Sequence, residues 1–325
     1  MSLNLELLTL LKGGKICSGE MLGDALGISR AAVWKQLEKL RAVGIDVESV
    51  RGKGYRIPGG IELLESDEIQ RQLPVRISDQ LKGIHVAEEL DSTNTWLKEQ
   101  ADYLRDRQVC LAERQTAGRG RRGRHWVSPF GCNLYLSLAW GFEGGIKALE
   151  GLSLAVAVAV CRALEPGAPR GTITLKWPND IFYRGGKIGG ILVEMMGDPS
   201  GECQAVIGVG LNCGMGEHAK AANAIDQPWA DVREFSTVSR NTLAALVIGE
   251  LVTALVEFRR LGFEAFRPAW VARDGLKGQP VVLQMGAKRH TGINRGISDT
   301  GALLLEVDGQ THAYNAGEIS LRAAQ

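Results

Sequence analysis

Between Gln115 and Gly131 the chain reads QTAGRGRRGRHWVSPFG, which sets Arg119, Arg121, Arg122 and Arg124 among Gly118, Gly120 and Gly123, with Trp126 close behind. Four like charges in six residues repel one another, so a folded chain keeps them together only where water or an anion screens them. Three readings are open: a solvated basic loop, a track for a nucleic-acid backbone, or a loop that orders around a small phosphorylated ligand. The glycines also satisfy G-x-G-x-x-G, but a dinucleotide-binding turn needs a strand before it and a helix opening within it. VCLAE (109–113) supplies a strand. HWVSPFGCNLYLSLAW, however, is broken by Pro129 and Gly131 and then alternates like a strand, so no helix N-terminus is on offer to a pyrophosphate. The P-loop pattern fails as well, because Arg124 and His125 stand where Lys and Ser/Thr are required.

Further clusters carry polar chemistry. Asp91, Ser92, Thr93 and Asn94 fall at a helix start, where their side chains either cap backbone N–H groups or meet a ligand. LKWPND (175–180) puts Lys176, Asn179 and Asp180 at a strand end stopped by Pro178, and ligand-binding groups gather in the loops beyond strand ends. In GGKIGGILVE, Lys187 lies among Gly185, Gly186, Gly189 and Gly190. Glycines there let a ligand approach the backbone, and the lysine is a point charge suited to a carboxylate or an α-phosphate. GVGLN (208–212) is another glycine-bounded strand end, carrying Asn212. The histidines are scattered and the cysteines form no C-x-x-C pair, so no metal-ligating set is expected.

The elements that must position these groups read as a multidomain α+β chain. In residues 1–60, LNLELLTLL is amphipathic. SGEMLGDALG offers Ser18 as N-cap and an apolar face of Met21, Leu22, Ala25 and Leu26. RAAVWKQLEKLRAVG then forms a second helix with Val33, Leu37 and Leu40 on one side. A helix, a glycine turn and a second helix place a recognition helix in a major groove. Ser29, Arg30, Trp34, Lys35 and Lys39 are the candidate DNA contacts on that helix. The hairpin IDVESVRGKGYRI makes a wing with Arg51, Lys53 and Arg56 near its tip. This segment holds nine Lys/Arg against six Asp/Glu, net +3, in a chain of net +1.

Residues 61–272 mix strands and helices without strict alternation, which suggests a sheet covered on one face. SDEIQRQL reads as a capping box at Ser66, LSLAVAVAVC as a buried helix, and RNTLAALVIGELVTALVEFRRLG as a long helix capped by Asn241. Residues 273–325 are short strands and tight turns, expected to close into a small β-barrel. With no leader peptide and no span long enough for a bilayer, the chain is expected to be cytoplasmic, with reduced, buried thiols.

The stretches DSTN, QTAGRGRRGR-x-W-x-SP-x-G, KWPND and K-x-GGILVE, in this order and spacing, resemble the biotin–protein ligases. The helix-turn-helix ahead and the small barrel behind resemble the bifunctional bacterial members, which combine a biotin ligase with a biotin operon repressor. The resemblance implies a winged helix-turn-helix, a central catalytic domain of the mixed biotin/lipoate-ligase type and a C-terminal barrel. It implies ATP and biotin as substrates, Mg²⁺ with the nucleotide, and biotinyl-5′-AMP as the intermediate. Its implied partners are a biotin carboxyl carrier protein, operator DNA and a second copy of the chain when the adenylate is bound.

Carried onto this chain, the resemblance places Ser92, Thr93, Asn94 and Gln115 on the biotin ring. Arg119, Gly120 and Arg121 would close over the biotin tail and the adenylate phosphate. Lys187 would contact the biotin carboxylate and the α-phosphate, forming with Arg121 the catalytic pair. Trp126 would pack on adenine, with Asn179, Asp180 and Asn212 near the nucleotide. No Ser–His or Cys–His pair is present, and none is needed for attack of one substrate on another. Rival expectations are a sensor of biotin that does not ligate, a ligase for another acyl group such as lipoate, and a ligase that no longer represses.

Overall fold

The computed structural model describes residues 5–100, 105–215, 225, 227–286, 288–315 and 319–323. Three short helices open the chain: α1 (Leu5–Leu11), α2 (Gly19–Leu26) and α3 (Arg30–Ala42). Ser18 caps α2 by accepting from the Met21 N–H at 3.0 Å, and Ser29 caps α3 by accepting from Ala32 at 3.3 Å. Leu7, Leu8, Leu11, Leu22, Val33, Leu37 and Leu40 meet in one core. Each such buried side chain contributes about 1.5–3 kcal/mol. Met21 and Ala25, expected on that face, are exposed. The stripe of α2 runs instead through Leu22 and Gly23, because the turn at Gly27–Ile28 folds back onto Gly23.

The wing is β1 (Glu48–Val50) paired antiparallel with β2 (Gly54–Arg56). Arg56 is not at its tip: it pairs across the hairpin with Glu48 at 2.6 Å.

The central sheet runs β3 (Gly83–Leu90), β4 (Gln108–Gln115), β5 (Leu134–Phe142), β9 (Cys203–Leu211), β8 (Gly186–Gly197), β7 (Asp180–Tyr183), β6 (Ile173–Lys176). Only β3 and β4 are parallel. Strand alternation divides its two faces. Leu134, Leu136, Leu138, Trp140 and Phe142 of β5, with Ala205, Ile207, Val209 and Leu211 of β9, pack against α7 (Leu152–Leu164) and α8 (Arg240–Leu261). The other face carries α6 (Thr93–Glu99), whose Leu97 packs on Cys110, Ala139 and Val206. Both faces of β5 are therefore buried.

Helix α7 buries eleven of its 13 residues, as its unbroken apolar run requires. The N-cap of α8 is Ser239, accepting from Thr242 at 3.1 Å, and not Asn241. Asn241 turns its amide to Glu62 and to the Leu63 carbonyl instead. Likewise α4 (Ser66–Gln72) starts from Glu65, with no side-chain cap at Ser66. Helix α8 is long and apolar enough to cross a bilayer, but most of its apolar window is buried in this core.

The C-terminal strands β10 (Pro280–Met285), β11 (Lys288–Ile297), β12 (Leu303–Val307), β13 (Gln310–Tyr314) and β14 (Ile319–Ala323) form an antiparallel sheet in the order β13-β12-β11-β10-β14. Among the described residues β13 and β14 are its free edges, so the expected closure into a barrel is not seen. Val281, Leu283, Leu303 and Leu305 join the central core. The Trp177 indole donates to the Gly301 carbonyl at 3.0 Å and ties the two sheets together.

Candidate active site

The face of the sheet that α6 leaves open carries small residues. Gly190 of β8 and Gly208 and Gly210 of β9 point there, and above them lies a cavity of about 740 Å³. At one end stand Ser92, Thr93 and Asn94, all buried. The Gln115 side-chain oxygen accepts from the Thr93 N–H at 2.9 Å, and Ser137 lies 2.7 Å from the Thr93 hydroxyl and 2.6 Å from Asn94 Oδ1. A Cβ at Gly208 would fall 2.6 Å from that same Oδ1, so only glycine leaves Asn94 its place. This end is neutral, polar and preorganised.

The other end is cationic. Arg121, Arg122, Arg124, Lys176 and Lys187 line it against one carboxylate, Asp180, among the described residues, while Arg119 lies nearer the first end, its guanidinium 3.1 Å from the Thr95 hydroxyl. Lys187 Nζ sits 2.6 Å from Asp180 Oδ1, and Lys176 Nζ 3.3 Å from Oδ2. Burial works to raise the Asp180 pKa, but the two ammonium groups outweigh it and hold the carboxyl below its usual range. Burial pushes Lys176 down against the support of Asp180. Burial and the adjacent Arg122 push Arg121 down against the pull of Asp180. A cluster already desolvated and mutually repelling favours the arrival of an anion.

The arginine loop itself is a closed turn. Gly120 donates to the Arg124 carbonyl at 2.7 Å, Trp126 to the Gly118 carbonyl at 2.9 Å, and Arg122 adopts the left-handed conformation. Trp126 lies flat over β9: a Cβ at Gly210 would come within 2.7 Å of its ring. Lys187 Nζ stands 5.4 Å from the ring centre, a cation–π distance. The indole N–H is buried without an acceptor among the described residues. An orphaned buried donor costs about 1–3 kcal/mol, so this one is suited to an acceptor on a ligand.

The structure thus brings Ser92, Thr93, Asn94, Gln115, Arg119, Gly120, Arg121, Trp126, Asn179, Asp180, Lys187 and Asn212 to one cavity. Two of them also serve the backbone. Asn179 donates to the Ile191 carbonyl at 2.9 Å, and Asn212 to the carbonyls of Lys187 and Ala230 at 3.2 Å each, which pins the strand ends beneath Lys187. Sequence reading overlooked Ser137, Glu194 and the segment around Pro228–Trp229. Trp229 bridges to Lys187 and lines the cavity. A serine inside the apolar run LYLSLAW was the available signal for Ser137.

The candidate DNA contacts lie elsewhere. Ser29, Arg30, Trp34 and Lys35 are exposed and Lys39 half-buried on α3, while Arg51 and Lys53 are exposed at the wing turn. Trp34 is 52% exposed. Downstream of Trp126 the arginine loop runs to Phe130, which is fully buried in the core of the winged helix. A Cβ on the next residue, Gly131, would fall 2.6 Å from Ile61, so the loop's end is wedged against the start of the segment joining the two halves.

Comparison with known proteins gives this architecture its class. Residues 86–212 match the biotin/lipoate A/B protein ligase family, 4–56 an HTH domain, and 277–322 the biotin protein ligase C-terminal domain. The catalytic fold is shared with the biotin protein ligase of Aquifex aeolicus in complex with biotin and ATP, at TM-score 0.64 and 28% identity over 75% of this chain and 100% of that one. The bifunctional ligase/repressor BirA of Escherichia coli is 42% identical over 99% of this chain and 98% of its own length, and that of Salmonella typhimurium 43% over the same spans. The chain belongs to the family of bifunctional biotin ligase/repressors.

Proposed function

We propose that the chain activates biotin with ATP to biotinyl-5′-AMP, transfers biotin to a lysine of a biotin carboxyl carrier protein, and represses biotin synthesis genes when the adenylate is bound. The observation that carries the ligase half is one cavity with two chemistries: the neutral set Ser92, Thr93, Asn94 and Gln115 at one end, five cations around one carboxylate at the other. The first end suits a ureido ring, which both donates and accepts hydrogen bonds. The second suits the carboxylate and phosphates that must meet.

In the first step a biotin carboxylate oxygen attacks the α-phosphorus of ATP, the bond to the bridging oxygen breaks, and pyrophosphate leaves. In the second the neutral carrier amine attacks the acyl carbon, AMP leaves and the amine gives up a proton. Lys187 and Arg121 clamp the reacting carboxylate and α-phosphate, and Arg119 and Gly120 cover the tail. Trp126 packs on adenine, with Asn179, Asp180 and Asn212 about the nucleotide. Arginine and lysine neutralise charge without changing protonation. A loop folded over the anhydride keeps water from it. Among the described residues no three His, Cys, Asp or Glu side chains cluster for a metal. Mg²⁺ bound with the nucleotide would neutralise phosphate charge, and Asp180, the one carboxylate lining the cavity among the described residues, would be the residue to hold it.

Biotin-dependent ATP–pyrophosphate exchange tests this half, with Arg121→Ala as control. Exchange that needs biotin and collapses in the variant is expected; tight biotin binding without exchange would leave only a sensor. Lipoate in place of biotin separates the acyl groups. A further expectation concerns Gly210→Ala. Its methyl group would overpack the Trp126 ring at a cost of about 1–3 kcal/mol, so the KM for ATP should rise by about tenfold. Unchanged exchange kinetics would remove Trp126 from the nucleotide site.

For the repressor half, Phe130 supports the reading. The loop that would hold the adenylate ends inside the DNA-binding core, so closing it on ligand bears on the winged helix. A domain of net +3 is weakly basic, so operator binding should need two copies. We place the domains at 1–60, 61–272 and 273–325, the DNA contacts at Ser29, Arg30, Trp34, Lys35, Lys39, Arg51 and Lys53, and the protein in the cytoplasm. Fluorescence anisotropy on operator DNA should show affinity rising with biotin and ATP. Equal affinity without them would break the link.

A further inference from the structure

We propose that Glu194 is a positioning residue that sets the proton direction of a buried hydrogen-bond chain, Glu194–Asn94–Ser137–Thr93, so that Asn94 and Thr93 both present acceptors to the ligand. That these acceptors meet biotin rests on the reading of that end of the cavity as a biotin pocket; the direction of the chain does not.

Glu194 closes the stretch K-x-GGILVE, whose glycines and lysine the proposed mechanism uses and whose acid it does not. It lies on β8 two and four residues beyond Leu192 and Gly190, which line the cavity, and so on the same face of the sheet. Its ionised carboxylate is an anchor of fixed polarity, because it can only accept. Burial works to raise its pKa, but the bonds from Lys98 and Asn94 outweigh it, so it stays ionised. Oε1 accepts from Lys98 Nζ at 2.7 Å and Oε2 from Asn94 Nδ2 at 2.8 Å. Arg119, with its side chain 40% exposed, adds a longer contact to Oε2 at 3.4 Å. The Leu192 carbonyl, a second acceptor, stands 3.5 Å from the same Nδ2.

An amide both donates and accepts, so the acceptors on β8 compel Asn94 to turn its NH₂ toward that strand and its oxygen toward Ser137 and the space above Gly208. Asn94 Oδ1 lies 2.6 Å from Ser137 Oγ and can only accept, so it takes the one serine proton. The Ser137 and Thr93 hydroxyl oxygens are 2.7 Å apart, a separation that requires a proton between them. With the serine proton spent, Thr93 supplies it. The Gln115 side-chain oxygen is farther from the Thr93 hydroxyl, at 3.2 Å, and already accepts from the Thr93 N–H at 2.9 Å. Thr93 Oγ1 and Asn94 Oδ1 are therefore left with lone pairs for a ligand and no proton to give. The two N–H groups of a ureido ring match two such acceptors. Turning the Asn94 amide would send the serine proton to Thr93 and leave both residues facing those N–H groups as donors. Ser137, Asn94 and Thr93 are buried, so protein groups rather than water decide the direction.

The test is a cycle of Glu194→Gln, Asn94→Asp and the two together, with thermal unfolding and pyrophosphate exchange measured on each. In Glu194→Gln the one remaining side-chain oxygen goes to the Lys98 ammonium, the stronger partner. The new NH₂ then confronts that of Asn94, and the amide turns. The KM for biotin should rise on the order of tenfold while kcat and the KM for ATP stay near wild type. Asn94→Asp sets two carboxylates face to face, so both the biotin KM and the melting temperature should suffer. In the double variant the new amide donates to the new carboxylate, whose other oxygen accepts from Ser137, and the original direction returns. Its biotin KM and its melting temperature should both recover toward wild type. Residues that merely stabilised the fold would lower the melting temperature without splitting KM from kcat, and their two losses would add. An unchanged biotin KM in a folded Glu194→Gln protein overturns the proposal, as does a double variant no better than Asn94→Asp alone. Should the wild-type protein show no biotin-dependent exchange, the pocket reading fails, and recovery of the melting temperature in the double variant still decides the direction of the chain.

Discussion

Lys187→Ala is expected to lower biotin-dependent pyrophosphate exchange by about 10²- to 10³-fold, the usual cost of removing one preorganised charge-stabilising group. The geometry makes the upper part of that range the natural expectation. Lys187 Nζ is held at 2.6 Å from Asp180, aimed before any ligand arrives, and its side chain is only 14% exposed. Removing it deletes a cation and also leaves the Asp180 carboxylate facing the nucleotide with Lys176 alone. A buried anion beside a triphosphate repels it.

The pH dependence should move too. In the wild type, Asp180 has a folded-state pKa below its ordinary value, so its contribution is in place above the unfolded pKa and is lost as pH falls through the lowered one. Without Lys187 that acid limb should shift upward. Lys187→Arg separates charge from reach: partial rescue indicates that charge dominates, and none that the compact ammonium must enter the gap among the glycines. Near-wild-type exchange in Lys187→Ala would remove the residue from the chemistry.

Much of this site was legible because its chemistry is contiguous in the chain. Arg119 to Arg124 with their glycines, Lys187 among its own, and Ser92 to Asn94 each occupy one short stretch whose charge or flexibility has no better local use. The winged helix was legible for the same reason, since Ser18 and Ser29 cap their helices through bonds three residues long. What escaped notice is carried by distance. Glu194 reaches Asn94 from 100 residues away, and Ser137 reaches it from 43. No local pattern reports a partner across a sheet. The errors have the same origin: Asn241 looked like a cap, but Glu62 and Leu63, far back in the chain, engage its amide. The closure expected of the last five strands was a statement about edges, and edge pairing is the least local property of a sheet.

The same kind of distant contact carries the largest stability prediction. Arg240, at the start of α8, and Glu113, in β4, form an ion pair at 2.7 Å with side chains 3% and 4% exposed. The guanidinium also donates to the Glu62 and Asn133 carbonyls, and Glu113 accepts from the Leu64 N–H. Burial alone would lower the Arg240 pKa, but Glu113 more than restores it, so the guanidinium stays charged. Arg240→Ala should therefore destabilise the protein by about 3–5 kcal/mol, most of it the cost of an unmatched buried carboxylate. Denaturant unfolding measures this; a loss below about 1 kcal/mol would mean that water reaches the site and screens it.

The paired replacement Arg240→Met with Glu113→Leu discriminates further, because apolar groups of similar volume often match or exceed a buried ion pair in stability. Recovery of stability is the expected result. It would leave the pair a different role: Glu62 and Leu64 lie in the segment joining the winged helix to the catalytic sheet, and the Glu113 carbonyl accepts from Gly131 just beyond Phe130. A recovered protein whose exchange activity is normal, but whose operator affinity no longer responds to biotin and ATP, would show that the pair holds that junction in register. A recovered protein with an intact response would show that Phe130 and Gly131 suffice to hold it.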